Sequence, residues 1–264
     1  MVTWVFIVVV GLFVLILFGW FTTYHGKRYH IQLKQDPKEF PTVAHVSQHL
    51  QRKGLASCNV TFAIDYHVKN QTQGKHTWFN QSLHHLGENH INPYQEAIRV
   101  CAMVLQPMLA KGPSLFMTLL EPSDDEMHPC HTFYNVMEHY IQHATTASTE
   151  MPRIVPTLEH IASQVSDPHI VIAMTCHDEF DFKRIDHILK EQSNLYLIII
   201  GVGDGDRNAP AQYEWSRMMN KHTSRITFVP INQALGNPQL PNRRFSREQE
   251  VVLALMAFQN IFNQ

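Results

Sequence analysis

The chain has 264 residues, 44% of them hydrophobic and 17% charged, which suits one sizeable folded domain with an appendage rather than two full domains. The formal net charge of −2 gives no basic excess for nucleic acid, so no nucleic-acid partner is expected. Four widely spaced cysteines exclude a disulfide scaffold and are typical of free thiols in a reducing compartment. Eighteen histidines make the charge sensitive to mild acid, which raises a pH-sensing role as one hypothesis.

An almost uninterrupted apolar run opens the chain over residues 2–23. At ~1.5 Å per residue, a helix of this length would cross the ~30 Å hydrocarbon layer of a bilayer. The first basic residues, Lys27 and Arg28, follow the run, so the positive-inside rule places the C-terminal domain in the cytoplasm. We therefore predict a single-pass membrane protein in which residues 1–24 form a transmembrane signal-anchor helix and residues 2–23 contact the membrane.

Three Asn-x-Ser/Thr sequons, at Asn59, Asn70 and Asn80, favour the opposite orientation, because glycosylation acceptors belong to secreted or luminal loops. Asn59 falls within a predicted buried strand, which has no room for a glycan. We interpret the sequons as chance matches.

The remaining chain alternates short apolar runs with amphipathic segments. Residues 25–54 are predicted to form a linker and a leading helix that ends at Gly54. Uniformly apolar strands separated by helices predict an α/β fold: a doubly wound, mainly parallel six-stranded sheet with helices on both faces, preceded by one transmembrane helix. Five of these strands are located in the sequence, over residues 59–65, 114–120, 169–175, 195–202 and 225–229. The predicted helices cover residues 43–53, 92–108, 133–143, 154–165, 181–192, 210–221 and 246–262.

Two stretches between these elements are polar. Residues 69–92 are either a long loop or a hairpin, and residues 121–130 are predicted to be a loop. Asp65 ends the first core strand. Ligands of open parallel sheets bind beyond the carboxyl ends of the strands, so Asp65 stands where a ligand or metal would be met.

Three blocks of sequence carry a family resemblance. They read Phe62-Ala-Ile-Asp-Tyr-His-Val-Lys-Asn70; Ser82-Leu-His-His-Leu86 with Asn92-Pro-Tyr-Gln-Glu-Ala-Ile98; and Leu197-Ile-Ile-Ile-Gly-Val-Gly-Asp-Gly205 with Ile226-Thr-Phe-Val229. Together they resemble the copine-type von Willebrand factor A domain of copines and of plant RING-type ubiquitin ligases with a copine-like domain. The resemblance implies that residues 55–264 form such a domain, with a Rossmann-like sheet.

The same resemblance implies a degenerate metal-ion-dependent adhesion site. The family pattern is Asp-x-Thr/Ser-x-Ser on the first loop, a Thr on the second and an Asp on the third, which suits a hard divalent cation. Here Asp65 is kept, His67 and Lys69 stand at the hydroxyl positions, and Thr149 is the nearest candidate for the second-loop Thr. Thr175 replaces the third-loop Asp. The Lys69 ammonium would repel Mg²⁺ and could pair with Asp65.

We therefore expect a membrane-anchored protein–protein interaction module without metal-dependent chemistry, without a cofactor and without enzyme activity. Intrinsic ubiquitin transfer is not expected, because no RING-type Cys/His series precedes Gln264. The protein partners are of unknown identity. The residues expected to form the partner-binding loops are Asp65, His67, Lys69, Asn70, Thr149 and Thr175.

Two alternatives remain open. One is a Mg²⁺-dependent adhesion-type domain in which Asp65 and His67 hold the metal. The other is a hydrolase that uses loop histidines.

Three further patterns have simpler interpretations. Gly201-x-Gly-x-Gly205 follows a late strand rather than the first βα turn, so we interpret it as the family's turn and not as a dinucleotide site. Two groups of zinc-ligand residues lack the spacing of zinc fingers, and we interpret them as solvated loop residues. These groups are His128, Cys130 and His131, and Cys176, His177 and Asp178.

Overall fold

The computed structural model describes residues 33–55, 57–75, 78, 80–87, 91–110, 114–120, 126–164, 166–177, 180–203, 225–235 and 244–261. Numbered along these residues, the strands are β1 (Asn59–Ile64), β2 (Leu115–Leu119), β3 (His128–Cys130), β4 (His169–Thr175), β5 (Leu195–Gly201) and β6 (Ile226–Pro230). The α-helices are α1 (Val43–Arg52), α2 (Pro93–Leu105), α3 (Phe133–His143), α4 (Ile154–Gln164), α5 (Phe182–Glu191), α6 (Ile231–Leu235) and α7 (Arg247–Phe258). Short 3-10 helices cover Pro37–Glu39, Val68–Gln71 and Gln106–Met108.

The six strands form one mixed sheet in the order β3-β2-β1-β4-β5-β6. Neighbouring strands from β2 to β6 run parallel, and β3 runs antiparallel to β2 at the edge. The chain leaves β1 towards β2 on one side and returns to β4 on the other, so the strand order reverses between β1 and β4. Their carboxyl ends therefore open a crevice of the kind in which α/β sheets bind ligands.

Apolar side chains on both faces of the sheet bury it between two layers of helices. All seven residues of β4 are buried, as expected for a central parallel strand. Residues of α1, α2, α3 and α7 share one core cluster with one face of the sheet, while α4 and α5 pack on the other face. The leading helix is part of this core, because Val46 and Leu50 are fully buried and the Ser47 hydroxyl donates to the Val104 carbonyl at 2.7 Å.

Side-chain caps fix where two of the core helices begin. Asn92 and Gln95 form a reciprocal capping box at the start of α2. Ser246 and Gln249 form another at the start of α7, which confirms the predicted start of the final helix.

Some element predictions differ from the structure. Residues 128–130 lie in the strand β3 rather than in a loop, because they pair with β2 over a contact too short to produce a periodic pattern. Between residues 69 and 92, the described part contains turns and a 3-10 helix but no strand, which favours the long loop. The predicted helix at residues 210–221 lies outside the described residues.

The predicted transmembrane helix requires a correction to the fold class. No helix in the described part of the chain is both long and apolar enough to cross a membrane, and residues 1–32 lie outside that part. Length and hydropathy of a run identify a candidate span but do not by themselves establish one. The fold is therefore an α/β fold with a mixed sheet, and the structure does not support the membrane anchor, membrane contact through residues 2–23 or a single-pass location with a cytoplasmic domain.

Candidate functional site

The carboxylate of Asp65 lies between the carboxyl ends of β1 and β4 and is buried, with 1% of the residue exposed. The Asp65 backbone N–H donates to the Met174 carbonyl at 3.0 Å, which aligns Asp65 with the end of β4. Its Oδ1 accepts the backbone N–H of His67 at 2.8 Å. Its Oδ2 accepts the Thr175 hydroxyl at 2.6 Å and the Cys176 N–H at 3.3 Å. Internal donors therefore supply the hydrogen bonds that a buried carboxylate needs.

A tight turn follows Asp65 and is closed by its own side chains. His67 precedes the 3-10 helix, and its Nδ1 accepts the N–H of Lys69 at 3.1 Å. The buried amide of Asn70 donates to the carbonyls of Asp65 at 3.1 Å and of His67 at 3.0 Å. Three of the predicted partner-binding residues thus share one turn, in which Asn70 holds the backbone and His67 and Lys69 are partly exposed.

Lys69 does not form the pair with Asp65 that the sequence suggested. Within the described residues, the structure shows no ion pair between the two side chains. The physical reason is that both oxygens of Asp65 already accept hydrogen bonds from neutral donors, which are the His67 N–H on the first loop and the Thr175 hydroxyl and Cys176 N–H at the end of β4.

A second loop lies directly beside the turn after Asp65. The Val68 N–H donates to the Ser148 carbonyl at 2.7 Å, and the Ser148 N–H donates to the Tyr66 carbonyl at 3.0 Å. Ser148, rather than the predicted Thr149, is thus the residue paired with His67 in an isolated bridge. Thr149 is the next residue and is exposed at the rim.

His84 contacts the Asp65 backbone and was given no role in the sequence analysis. Its Nε2 lies 2.9 Å from the Asp65 carbonyl, so Nε2 carries the hydrogen, and its unprotonated Nδ1 lies 3.0 Å from the Tyr140 hydroxyl. The ring stacks between Tyr66 and Tyr94, with centroids at 5.0 and 4.2 Å. Burial lowers the pKa of His84 to about 4, which keeps the imidazole neutral.

Tyr94 completes this support beneath the Asp65 loop. Its hydroxyl donates to Asn70 Oδ1 at 2.7 Å and lies 3.1 Å from the Asp65 carbonyl. Burial raises the pKa of Tyr94 well above its usual value, so the hydroxyl keeps its proton. The one sequence signal for this support was that His84 and Tyr94 fall in a block that resembles the copine-type domain.

Cys176 and His177 follow β4 and face the same crevice. His177 is 5% exposed, its backbone N–H donates to the Thr175 hydroxyl at 2.9 Å, and its Nε2 lies 3.0 Å from His67 Nδ1. One ligand atom from each of Asp65, Cys176 and His177 lies within 4.8 Å of the other two, which makes these three residues a candidate metal-binding group.

The interpretation of the cysteine and histidine clusters as solvated loops is wrong for most of their described members. His177 is buried because it follows a buried strand whose carboxyl end faces Asp65. His128 and Cys130 belong to β3, and Cys130 is buried. Asp178 lies outside the described residues.

Comparison with known proteins tests the resemblance to the copine-type domain. No family model matches the chain. Copine family proteins 1 and 2 of Caenorhabditis elegans are each 24% identical, over 180 and 220 residues, which cover 61% and 75% of this chain. E3 ubiquitin-protein ligase RGLG4 of Arabidopsis thaliana is 26% identical over 197 residues, or 64% of this chain. The chain is copine-like.

These relatives confirm the copine-type resemblance and support a copine-like protein-interaction domain. The matched parts make up 16%, 3% and 49% of the three relatives, so the copine-like chain spans less than half the length of each. Ubiquitin ligases among the relatives contradict the prediction of a non-enzyme, and that assignment is withdrawn. The prediction failed because a fold does not by itself determine whether a protein is an enzyme. Activity depends on the site and on the rest of each protein.

Proposed function

We propose that this copine-like chain binds protein partners through the loops at the carboxyl ends of β1 and β4, and that these loops work without Mg²⁺. The observation that carries the proposal is that the buried Asp65 carboxylate accepts hydrogen bonds from His67, Thr175 and Cys176, which compensate its charge. A charge that is already compensated by internal hydrogen bonds needs no cation to remain buried.

The ligand chemistry also disfavours magnesium. Mg²⁺ requires near-octahedral oxygen ligands, commonly one or two carboxylates together with water. The Thr175 hydroxyl points its hydrogen at Asp65, and the positions two and four residues after Asp65 hold an imidazole and an ammonium. A single carboxylate whose two oxygens already accept hydrogen bonds gives Mg²⁺ few of the oxygen ligands that it requires.

The rim of the two loops offers a surface for protein contact. Val68 on the first loop is 38% exposed, and Met151, three residues after Ser148, is 49% exposed. Thr149, two residues before Met151, is also exposed. Apolar side chains within a polar surround are typical of protein–protein contact regions, and the hydrogen bonds of Ser148 to both sides of His67 hold the two loops together.

Affinity capture with the full chain tests this placement. We expect Val68→Asp and Met151→Asp each to reduce recovery of a wild-type partner at least about tenfold, because a charge is costly to bury at an interface. Tyr134→Asp is the matched control, because Tyr134 is also exposed, at 76%, but lies in the first turn of α3. The site is contacted from the other end of that helix, where Tyr140 lies against His84. The control should leave capture unchanged.

The same capture experiment, repeated with and without Mg²⁺, tests the proposal that the loops work without this ion. Capture should be equal in magnesium-containing and magnesium-free buffer. Partner binding that appears only with Mg²⁺, or that survives both rim substitutions, would contradict the proposed function.

A further inference from the structure

The residues after β4 change the chemistry available to a metal at this edge of the sheet. The candidate group combines the carboxylate of Asp65, the thiol of Cys176 and a ring nitrogen of His177, all within 4.8 Å of one another. Sulfur and imidazole nitrogen are donors that Zn²⁺ accepts and that Mg²⁺ does not favour. We propose that Asp65, Cys176 and His177 form a zinc site. This inference goes beyond the proposed function and does not depend on partner binding.

The backbone already holds the three donors close to the required geometry. The N–H of Cys176 donates to Asp65 Oδ2 and the N–H of His177 donates to the Thr175 hydroxyl, which fixes both residues beside the carboxylate. Tetrahedral zinc with bonds of about 2.0–2.3 Å places its ligand atoms about 3.3–3.8 Å apart, so rotamer adjustments of about 1 Å are enough to close the site. Oδ1 of Asp65 accepts only the His67 N–H among the described residues, and a carboxylate oxygen has two lone pairs.

His67 sets the tautomer of His177. Because His67 Nδ1 accepts the N–H of Lys69, that nitrogen carries no hydrogen. The 3.0 Å contact between His67 Nδ1 and His177 Nε2 is therefore donated by His177. In neutral His177 the unprotonated nitrogen is then Nδ1, the form that binds a metal. Metal-binding histidines characteristically donate their other N–H to such a partner, so His67 is a positioning residue rather than a ligand.

The charges of the site balance when zinc binds. Asp65 contributes one negative charge, and the Cys176 thiol releases its proton to solvent to become a thiolate, so the two anions neutralise Zn²⁺. A neutral centre suits a position where Asp65 is 1% exposed and His177 is 5% exposed. Three protein ligands leave a fourth position for water, the arrangement of open zinc sites.

Titration of the full chain with Zn²⁺, and with Co²⁺ as a spectroscopic probe, tests the site. We expect one equivalent of Co²⁺ to give a thiolate-to-cobalt charge-transfer band and the visible bands of tetrahedral cobalt. Added Zn²⁺ should displace the cobalt and remove these bands, whereas excess Mg²⁺ should leave them unchanged. Cys176→Ser should abolish the charge-transfer band. His177→Gln should lower zinc affinity at least about tenfold, and His67→Leu about 10- to 100-fold with the band retained.

Cys130→Ser is the matched control, since Cys130 is the buried cysteine of the other cysteine–histidine cluster. It should keep the band and the affinity. The proposed site would be overturned if the wild-type chain did not bind Co²⁺, or bound it without a thiolate-to-cobalt band. This test uses the wild-type chain alone, so it does not depend on whether the variants fold. A band lost in Cys130→Ser and kept in Cys176→Ser would overturn it as well. Zinc binding is measured without a partner, so its failure is distinguishable from failure of the proposed function.

Discussion

The hydroxyl of Thr175 joins the two chain segments that meet at the site. It donates to Asp65 Oδ2 at 2.6 Å and accepts the backbone N–H of His177 at 2.9 Å. Thr175 is fully buried, so neither partner can exchange this contact for water. At the position where the resemblance expects a ligand aspartate, the chain thus supplies a hydrogen-bond donor to Asp65 instead of a second negative charge.

Thr175→Val tests this role, because it keeps the shape of the side chain and removes only the hydroxyl. We expect the free energy of unfolding to fall by about 1.5–3 kcal/mol, the range for a hydrogen bond to a charged group. Urea unfolding measures the change. Thr118→Val is the control, since Thr118 is also buried but, among the described residues, its hydroxyl has only a marginal contact at 3.5 Å to the Leu119 carbonyl. Equal losses in the two variants would contradict the assigned role.

A network of ion pairs, buried at Glu96 and partly exposed at Arg99 and Glu250, connects the helices α2 and α7. The side chain of Glu96 is fully buried and contacts Arg99 at 2.5 Å, and Arg99 also contacts Glu250 at 2.7 Å. The second oxygen of Glu96 accepts the Phe245 N–H at 3.2 Å. Burial raises the pKa of Glu96, while Arg99 and the Phe245 N–H oppose that shift and favour the charged form. The network therefore fixes where the last helix packs on the core.

Removing the cation of this network should weaken the packing of the two helices. Among the described residues, Arg99→Met leaves the buried Glu96 carboxylate with the Phe245 amide as its remaining hydrogen-bond donor. We therefore expect a loss of about 3 kcal/mol in unfolding free energy, the low end of the range for breaking a buried pair. Glu250→Gln removes the partly exposed anion and should cost less than about 1 kcal/mol. Both are measured by urea unfolding. Adding Glu96→Gln to Arg99→Met should recover part of the loss; if it adds to the loss, the unpaired charge is not the cause.

Acid sensitivity of the whole domain is set in part by buried histidines. His169 is 1% exposed on the face opposite the α2 and α7 packing, and its Nε2 lies 2.8 Å from the Thr61 hydroxyl. Its Nδ1 has no hydrogen-bond partner within the described residues. Burial lowers the pKa of His169 to about 4 from an ordinary value of 6.5. The folded protein therefore holds this imidazole neutral in mild acid.

The sign of the pH effect follows from the lowered pKa of His169. Between about pH 6.5 and about pH 4 the unfolded chain binds a proton that the folded chain does not, so the free energy of unfolding falls as the pH falls. From about pH 7.5 to about pH 5.0 the contribution of one such group is about 2 kcal/mol. Urea unfolding at both pH values should show a drop that His169→Leu reduces by about this amount. An unchanged drop in the variant would refute the assignment.

The local sequence pattern determined much of the fold. Apolar runs and helical spacing located the first, second, fourth, fifth and sixth strands and most helices, since burial of each element leaves its own periodicity in the chain. The end of the first strand identified Asp65, and the resemblance identified His67 and Asn70 as its neighbours. These inferences succeeded because each depends on residues within one element or one turn.

Tertiary structure alone decided what surrounds Asp65. Asp65 and Thr175 are 110 residues apart in the chain, and they meet only because β1 and β4 are neighbours in the sheet. The same neighbour relation buries His177 and brings it to His67, while the helix α3 brings Tyr140 to His84. Spacing along the chain carries no record of such pairs, because strand order and helix packing are settled by burial of the whole core.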